Sequence, residues 1–485
     1  MVRVVSVLNL LSVLLVIFSL AMAVPLAVSL IYQDAAWHAY DEGVLITFVS
    51  GIVLWATTRR YRKELRPRDG FLLVALVWTV VPAYATLPLM IFLPDLSFTD
   101  AYFETVSGLT TSGATVLSGL DKLPPSITFW RAFLIWIGGM GVVVLAVAVL
   151  PLLGVGGSQI FKAETPGPMK DTKLTPRITE TAKGLWLVYA IITVACILAM
   201  KAAGMTWLDA FVHAFATMGL GGFSSHDESF GYFNSQPIEI VTIVFMLLAG
   251  INFGTHFLAF RKRSLSPFRS DPEVGAYLAL VILSCLGIAY FLLANHVYPD
   301  YLTALRYAAF NVVSIATTTG FANTNFASWP VFAPVWMLFL CCFATCSGST
   351  GGGIKMVRAE LMVRQASREL MRIIHPRAYL PLKLGGQIVE NNIVFAVLAF
   401  MLVYGGTMVT MTMLLAVSGL DIITAFSAVV ACINNTGPGL GQVGPATTYA
   451  VLNDFQTWVC TATMLLGRLE LFSMIVVFTP AFWRK

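Results

Sequence analysis

Thr110-Thr111-Ser112-Gly113-Ala114 is the first of four glycine-bearing stretches in this chain, and the other three are Gly219-Leu220-Gly221-Gly222-Phe223, Thr317-Thr318-Thr319-Gly320-Phe321 and Asn434-Asn435-Thr436-Gly437-Pro438. Small residues stand twelve and six positions before each aligned glycine: Ala101, Ala210, Ala308 and Ala425, then Ser107, Ala216, Ser314 and Ala431. These spacings do not share one helical face, so a single amphipathic stripe explains the match poorly. The stretches lie about a hundred residues apart, which indicates internal duplication at domain scale.

The composition around these stretches is that of a membrane protein. Of 485 residues, 58% are hydrophobic and 11% are charged, against about 25% charged in an average soluble domain. Apolar segments long enough to cross a bilayer recur along the chain: Val4 to Ile31, Phe71 to Leu93, Ile238 to Phe260 and Asn392 to Val417. The sequence therefore predicts an all-α polytopic membrane protein that lies in a lipid bilayer.

The N-terminal segment resembles a signal peptide only superficially. Arg3 precedes an apolar run, and Ala21-Met22-Ala23 resembles a cleavage site. The run continues to Ile31, which is too long for the apolar region of a signal peptide and suits a spanning helix.

The positive charges predict the topology. They concentrate in three connections: Arg59, Arg60, Arg62, Lys63, Arg66 and Arg68; Arg261, Lys262 and Arg263; and Arg358, Arg364, Arg368 and Arg372. The opposite connections, such as Gln33 to Glu42 and Pro94 to Lys122, carry mainly acidic groups. The positive-inside rule then places both termini in the cytoplasm, and the net charge of +5 needs no nucleic-acid partner.

The predicted organisation is a pair of spans followed by four repeats. Residues 1–69 hold two spans, Val4 to Ile31 and Leu45 to about Thr58, and a basic loop; the repeats cover residues 70–165, 166–265, 266–375 and 376–485. Each repeat reads as span, re-entrant half-helix, glycine loop and span, arranged around a central pore. Asp100, Asp209 and Asp421 are candidate N-caps of half-helices, with or without a role in attracting ions.

The chemistry of the loops points to a monovalent cation. None of the four contains Asp, Glu, Lys or Arg, so the polar groups available at depth are backbone carbonyls and hydroxyls. Carbonyls from four loops could replace the hydration shell of such an ion, and a glycine with positive φ would turn its carbonyl into the pore. Half-helices that enter from outside would direct their partially negative C-terminal ends at the cavity. The alternative is that the four glycines only pack helices closely.

These loops resemble the four filter loops of the bacterial Trk/Ktr/HKT potassium transporters, and the resemblance extends from Gly70 to the C-terminus. It implies potassium uptake across the bacterial inner membrane, with potassium bound at Thr111, Ser112, Gly113, Leu220, Gly221, Gly222, Thr318, Thr319, Gly320, Asn435, Thr436 and Gly437. It also implies a homodimer that works with a cytosolic, nucleotide-binding ring of the TrkA type. No organic cofactor is expected. The second loop departs from the pattern, because Leu220 and Gly221 replace hydroxyls or amides, and modest sodium leakage is a hypothesis.

A glycine-rich segment is the first candidate gate. Gly348-Ser349-Thr350-Gly351-Gly352-Gly353 cannot hold a regular helix, since each glycine costs about 1 kcal/mol relative to alanine. The segment lacks the Walker pattern of a phosphate loop. A flexible loop beneath the filter and a passive packing kink both remain open, and the resemblance implies an intramembrane loop that restricts the pore.

Arg468 is the second candidate gate residue. A charge inside a spanning segment usually faces the bundle interior or an aqueous cavity. Glu470 is two residues away and on another face, so Arg468 needs a different partner. The resemblance implies that it projects into the pore below the filter, whereas an arginine near the interface would reach into lipid headgroups.

The remaining polar residues do not suggest an enzyme. His213, His226, Asp227, His256 and Glu390 are scattered, and a hydrogen-bonded pair of His226 with Asp227 at the outer mouth is favoured over a proton relay. A symporter with a midplane site is the alternative transporter class, although such sites usually come with inverted repeats. Candidate docking surfaces for a partner are Lys162 to Lys183, Arg261 to Glu273 and Arg358 to Lys383.

Overall fold

The fold was obtained as a computed structural model, and the structure describes residues 2–61, 67–148 and 178–484. Several predicted features lie outside these ranges. They are Arg62, Lys63 and Arg66 of the first basic loop, most of the candidate docking segment Lys162 to Lys183, and the boundary between the first two repeats at residue 165.

The N-terminal pair of spans forms a helical hairpin. Helix α1 (Val2–Tyr32) returns through a short turn into α2 (Trp37–Thr58). Close packing is aided by Gly51, where an added Cβ would lie 2.8 Å from the Val16 side chain, and by a hydrogen bond of 3.0 Å from Asn9 Nδ2 to Thr58 Oγ1. The predicted second span, Leu45 to about Thr58, lies within α2, which begins earlier, at Trp37.

The rest of the described chain consists of helices in four successive groups. The first has α3 (Pro67–Ala85), α4 (Leu87–Phe92), α5 (Phe98–Leu109) and α6 (Pro125–Ala148); the second has α7 (Ile178–Ala202), α8 (Trp207–Gly219), α9 (Gln236–Ala249) and α10 (Phe253–Lys262). The third has α11 (Ser266–Ser270), α12 (Pro272–Ala294), α13 (Tyr301–Ala316), α14 (Phe332–Cys341) and α15 (Met356–Ile374); the fourth has α16 (Asn391–Val417), α17 (Ile422–Ile433), α18 (Asp454–Arg468), α19 (Phe472–Ile475) and α20 (Pro480–Trp483). This order is consistent with the predicted repeats, whose boundaries remain predictions.

The described part of the chain is almost entirely helical and suited to a bilayer. Six of its helices are long and apolar enough to cross a membrane, and two bent helix pairs add up to two more spans. The exception to the helical pattern is a two-residue antiparallel ladder between β1 (Lys383–Leu384) and β2 (Gln387–Ile388). The predicted class, an all-α polytopic membrane protein, is confirmed.

Four short helices, α5, α8, α13 and α17, end directly at the four glycine loops. They contain 12, 13, 16 and 12 residues, too few to cross a bilayer alone. We call them the pore helices. Because each runs into its loop, four helix C-termini with their partial negative charge meet around the loops.

The caps of the pore helices differ in part from the prediction. Asp421 caps α17 as expected, its side chain accepting the Thr424 N–H. The caps of α5 and α8 are instead Ser97 and Thr206, which lie three residues before Asp100 and Asp209. Each of these hydroxyls accepts the aspartate's backbone N–H and donates to its carboxylate, so the aspartates complete the caps from the first turn.

The pore helix of the third repeat has a cap that sequence reasoning missed. Asp300 caps α13 by accepting the backbone N–H and the hydroxyl of Thr303. This helix is longer than the other three, so its cap lies further from the glycine and outside the spacing on which the repeat was aligned.

Two spans break sharply, which the apolar pattern did not predict. The segment Ile238 to Phe260 was expected to be one span, but α9 and α10 meet at an angle of 94°. Asn252 caps α10 at this break, its side-chain oxygen accepting the Gly254 N–H at 2.8 Å. The last span bends by 108° after Arg468, where Glu470 and Leu471 both have positive φ.

Candidate ion pore

The four glycine loops have the same backbone turn. Two residues before each aligned glycine stands a residue with left-handed backbone, namely Thr111, Leu220, Thr318 and Asn435, with φ of 57°, 54°, 61° and 53°. The next residue donates its N–H to the carbonyl six positions before the aligned glycine, and the four bonds are Ser112 to Ser107, Gly221 to Ala216, Thr319 to Ser314 and Thr436 to Ala431. Non-glycine residues in this region carry strain of about 1–3 kcal/mol, so the surrounding packing must enforce the turn.

The aligned glycines close a ring in space. A Cβ added at Gly222 would lie 2.8 Å from the Gly320 carbonyl oxygen, and one at Gly437 would lie 3.2 Å from the Gly113 carbonyl carbon. A Cβ at Gly113 would meet the Gly222 backbone, and one at Gly320 would meet the Thr436 carbonyl. The loops therefore contact one another in the cyclic order first, second, third, fourth, and the ring leaves no room for side chains at these positions.

Glycine is required for different reasons at the four aligned positions. Gly113, Gly320 and Gly437 have φ of 77°, 89° and 93°, as expected for residues that turn a carbonyl inward. Gly222 does not have positive φ. The expectation that a glycine with positive φ turns its carbonyl inward was therefore wrong for the second loop. Glycine is needed there because the third loop approaches too closely for a side chain.

Buried side-chain oxygens and backbone carbonyls are concentrated at the loops. The side-chain oxygens of Thr111, Asn435 and Thr436 are buried and have no hydrogen-bond partner within the described residues. Carbonyl oxygens of the neighbouring loops also crowd the ring, such as Thr319 and Ser112, each 2.8 Å from the Cβ position of the adjacent glycine. Neutral oxygens of this kind suit a monovalent cation as cargo. Leu220 contributes a fully buried apolar side chain in the second loop, which makes the ring chemically asymmetric.

A vestibule opens on the side of the ring that is lined by residues following the aligned glycines. Its cavity volume is about 230 Å³, and all four aligned glycines contribute to its lining. His226 and Asp227 also line it, but they do not pair as expected. His226 Nδ1 contacts Asp121 Oδ1, whereas Asp227 accepts the backbone N–H of Leu120 at 3.1 Å.

The histidine contact links the mouths of the first two repeats and shifts both titrations. Burial alone would lower the pKa of His226, but the carboxylates of Asp209 and Asp121 outweigh it and raise the pKa above its ordinary value. The Asp209 Oδ1 atom lies 3.3 Å from Nε2 without the alignment of a hydrogen bond, so this contact is electrostatic. The hydrogen bond from His226 lowers the pKa of Asp121.

The glycine-rich segment contacts residues that precede the aligned glycines, on the side of the loops away from the vestibule. Gly352 donates its N–H to Thr318 Oγ1 at 2.9 Å, and the Thr350 hydroxyl donates to the Met218 carbonyl at 2.9 Å. A Cβ added at Gly352 would collide with the Asn434 carbonyl. The six residues Gly348 to Gly353 therefore contact the end of α8 and the third and fourth loops. The chain between α14 and α15 is non-helical as predicted.

Arg468 links the glycine-rich segment to α6 by hydrogen bonds. Its side chain is only 6% exposed, and its Nη1 donates to the Thr350 carbonyl at 3.0 Å. Its Nη2 donates to the Gly138 carbonyl of α6 at 3.2 Å. Glu470 pairs instead with Arg358 at 2.7 Å, so the expectation of a different partner for Arg468 is correct. The burial excludes the alternative in which Arg468 reaches into headgroups.

Comparisons with known proteins agree with this geometry. A family model described as TrkH, cation transport protein, matches residues 36–485. The chain is 46% identical over 483 residues to the Trk system potassium uptake protein TrkH of Vibrio parahaemolyticus, covering 99% of both chains, and 45% identical over 477 residues to that of Escherichia coli K12, covering 97% and 98%. The crystal structure of the potassium transporter TrkH from Vibrio parahaemolyticus superposes with a TM-score of 0.91 at 43% identity, covering 99% of both chains.

The chain belongs to the TrkH family. This family is one of cation transporters, so the prediction that the protein is not an enzyme is confirmed. The resemblance to the Trk/Ktr/HKT transporters is confirmed as well, and the comparisons assign the chain to the TrkH branch of that group.

Glu273 is a residue of this TrkH-family chain that sequence reasoning missed. Its Oε2 accepts the N–H of Ser347 at 2.8 Å and that of Val357 at 3.2 Å, so one carboxylate holds both ends of the glycine-rich segment. Glu273 is 4% exposed and lies in the first turn of α12. An acidic residue after Asp271-Pro272 looks like an ordinary helix start, and no spacing in the sequence links it to residues about eighty positions later.

The predicted docking surfaces are only partly exposed. Glu273 is buried, which removes it from the surface Arg261 to Glu273, and Arg358 is 2% exposed in its ion pair with Glu470. Arg364 and Arg372 on α15 remain available at the surface, with side chains 47% and 44% exposed. Of this predicted docking segment, the face of α15 that carries these two arginines is therefore exposed.

Proposed function

We propose that this protein takes up potassium across the bacterial inner membrane through the ring formed by the four glycine loops. The observation that carries the proposal is the cyclic contact of Gly113, Gly222, Gly320 and Gly437, which concentrates backbone carbonyls at one level. Four helix C-termini converge there, and no charged side chain occurs in the loops, so the ring favours a monovalent cation over an anion. The relatives named potassium uptake proteins support potassium as the cargo.

We place potassium binding at the twelve loop residues named from the sequence. The oxygen-bearing positions are those of Thr111-Ser112-Gly113, Leu220-Gly221-Gly222, Thr318-Thr319-Gly320 and Asn435-Thr436-Gly437. In the second loop only backbone carbonyls are available. This asymmetry supports the hypothesis that discrimination against sodium is incomplete.

The glycine-rich segment and Arg468 form the gate in this proposal. The segment contacts the loops, and the guanidinium that bonds the segment adds a buried positive charge next to them. Together they form an energetic barrier to cation passage below the filter. The barrier is lowered when the segment moves away from the loops. A passive kink would not need hydrogen bonds to three separate parts of the pore.

Regulation by a partner fits the position of α15. This helix begins at Met356, immediately after the gate segment, and exposes apolar and basic side chains: Val363, Arg364, Leu370, Arg372 and Ile373. A cytosolic, nucleotide-binding ring of the TrkA type that moved α15 would pull on the gate directly. We also propose a homodimer and cytoplasmic termini, the latter because Arg68 of the basic side bonds the Arg484 carbonyl at 3.1 Å.

A symporter with a midplane site is the alternative. The broken spans that such transporters use do occur here at α9–α10 and after Arg468. However, the four groups follow one another in like order, and the polar atoms gather at a ring rather than in a closed pocket.

The test is rubidium tracer uptake into liposomes that contain the purified protein, with potassium, sodium or lithium as competitor. Block by potassium, with little block by sodium and none by lithium, is expected from the carbonyl ring. Equal block by all three ions would contradict a selective filter. Uptake that requires a sodium or proton gradient at every potassium concentration would favour the symporter.

A further inference from the structure

A polar clamp holds the outer leg of each glycine loop to its own pore helix. Nine residues before the aligned glycines stand Glu104, His213, Asn311 and Ala428. The first three bond residues just beyond the filter: Glu104 accepts the Val116 N–H at 3.0 Å, His213 Nε2 lies 2.9 Å from Ser224 Oγ, and Asn311 Nδ2 donates to Asn323 Oδ1 at 2.6 Å. In the fourth repeat Ser427, beside Ala428, accepts the Leu440 N–H at 2.8 Å.

The clamp of the first repeat differs from the others because it contains a salt bridge. Arg131 of α6 places its Nε 2.8 Å from Glu104 Oε1, and both side chains are 1% exposed. The Thr115 hydroxyl also donates to Glu104 and accepts from Arg131 Nη2 at 3.0 Å. The first loop is thereby fixed from two elements at once.

Arg131 extends this clamp into the second loop. Its Nη1 donates to the Ser224 carbonyl at 3.2 Å, and its guanidinium lies 4.3 Å from the centroid of the Phe223 ring. Phe223 directly follows the filter residue Gly222. One buried arginine therefore joins the segments that leave the first and second loops, at the junction where Gly222 lacks the positive φ of its counterparts.

Stability alone does not explain why this pair is charged. A buried salt bridge often contributes no more than a well-packed apolar pair of the same volume. Its directional bonds, in contrast, fix distances between the elements that they join. The pair contacts the segments that leave the first two loops, and Arg131 also lines the vestibule beside the ring.

We propose that Glu104 and Arg131 are positioning residues for ion selectivity: together they set the spacing between the first and second filter loops. The proposal rests on the proposed function, since it presupposes a selective filter at the glycine ring. It predicts that weakening the pair changes the selectivity between potassium and sodium more than it changes the stability of the fold.

The experiment compares Glu104→Gln with Glu239→Gln in the rubidium uptake assay. Glu239 pairs with Arg306 between α9 and the N-terminal half of α13, with bonds of 2.8 and 2.7 Å and side chains that are 4% and 22% exposed. Among the described residues, no hydrogen bond joins either side chain to a glycine loop. Both variants lose one charge from an arginine–glutamate pair. For each, the inhibition constants of potassium and sodium and the midpoint of thermal unfolding are measured.

The expected result is a rise on the order of tenfold in the relative potency of sodium for Glu104→Gln, because a hydrogen bond to a charged group is lost beside the filter. Glu239→Gln is expected to lower the unfolding midpoint without changing the ratio of inhibition constants. An unchanged ratio in Glu104→Gln, at any level of uptake, would overturn the proposal.

A double variant, Glu104→Gln with Arg131→Gln, covers the case in which the single variant does not fold. It leaves no uncompensated buried charge, so its unfolding midpoint should recover while sodium discrimination stays weak. Recovery of both would show that the pair serves stability only. Wild-type protein without potassium-selective uptake would refute the proposed function itself, a result distinct from any of these.

Discussion

The guanidinium of Arg468 bonds the backbone of Thr350, 118 residues earlier in the chain, at a distance of 3.0 Å. This contact joins the C-terminal end of α18 to the middle of the glycine-rich segment. Because the same arginine also bonds Gly138 of α6, the segment is held between the first and last groups of helices.

Replacing Arg468 is expected to open the pore. Arg468→Gln removes the buried charge and weakens two hydrogen bonds from a charged donor, each with a value of about 1.5–3 kcal/mol. Since about 1.4 kcal/mol changes an equilibrium tenfold, rubidium uptake without any partner should rise by about tenfold or more.

Arg364→Gln is the matched control for this change, because Arg364 is an exposed arginine paired with Glu360 on α15. Its uptake should equal that of the wild type. Unchanged or reduced uptake in Arg468→Gln, with the protein folded, would rule out a gate built on this arginine.

The glycine ring should not tolerate a methyl group. In Gly222→Ala the new Cβ would lie 2.7 Å from the Gly320 carbonyl carbon, so the second and third loops must separate. We expect selective rubidium uptake to fall by about tenfold or more, or sodium to compete as well as potassium, because coordination by carbonyls depends on their spacing.

The control for Gly222 is Gly287→Ala in α12. Apart from the backbone of α12 itself, no atom of the described residues lies within 4 Å of the Cβ position at Gly287. Its backbone is helical, so alanine should be neutral or slightly stabilising there. Normal selective uptake in Gly222→Ala would argue that the ring is not the filter.

The carboxylate of Glu273 should stabilise the closed segment. Glu273→Ala deprives Ser347 and Val357 of a buried acceptor, at about 1–3 kcal/mol for each N–H that is left unsatisfied. A lower midpoint of thermal unfolding and a higher basal uptake should appear together, since the same bonds hold both ends of the segment.

Glu369→Ala provides the comparison. Glu369 pairs with Arg372 on the outer face of α15 and is 49% exposed, and exposed pairs contribute about 0–1 kcal/mol. Equal midpoints for Glu273→Ala and Glu369→Ala would contradict the bridging role of Glu273.

The outer mouth should be stabilised by His226 in a pH-dependent way. Because the pKa of His226 is raised in the folded protein, its contribution is fully present below its ordinary value near 6.5 and disappears as the pH rises through the higher folded pKa. The pKa of Asp121 is lowered, so its contribution is lost only as the pH falls through that lowered value.

The measurement compares unfolding midpoints of wild type and His226→Gln from about pH 5.5 to about pH 9. The difference should be largest at the acidic end and should shrink with increasing pH. His38→Gln serves as a control, because His38 stacks on Trp37 and belongs to the N-terminal hairpin. A difference that grows with pH would contradict the assignment.

Several features were predictable from the sequence because they depend on local chemistry. Apolar length fixed the membrane class, glycine alignment located the four loops, and four glycines in six residues implied a break at Gly348 to Gly353. The absence of charge in the loops restricted the cargo. The two-residue spacing alone was enough to exclude Glu470 as the partner of Arg468.

What the sequence by itself determined was where the backbone must bend and which groups are available to meet an ion. The tertiary structure alone decided which distant groups meet. In the folded chain Arg468 bonds Thr350, and Glu273 bonds both ends of the gate segment. Glu104 pairs with Arg131 beside the first two loops, and Gly222 has a different backbone from its counterparts. The physical reason is that hydrogen bonds and close contacts between separate helices depend on their relative placement, which short-range periodicity does not encode.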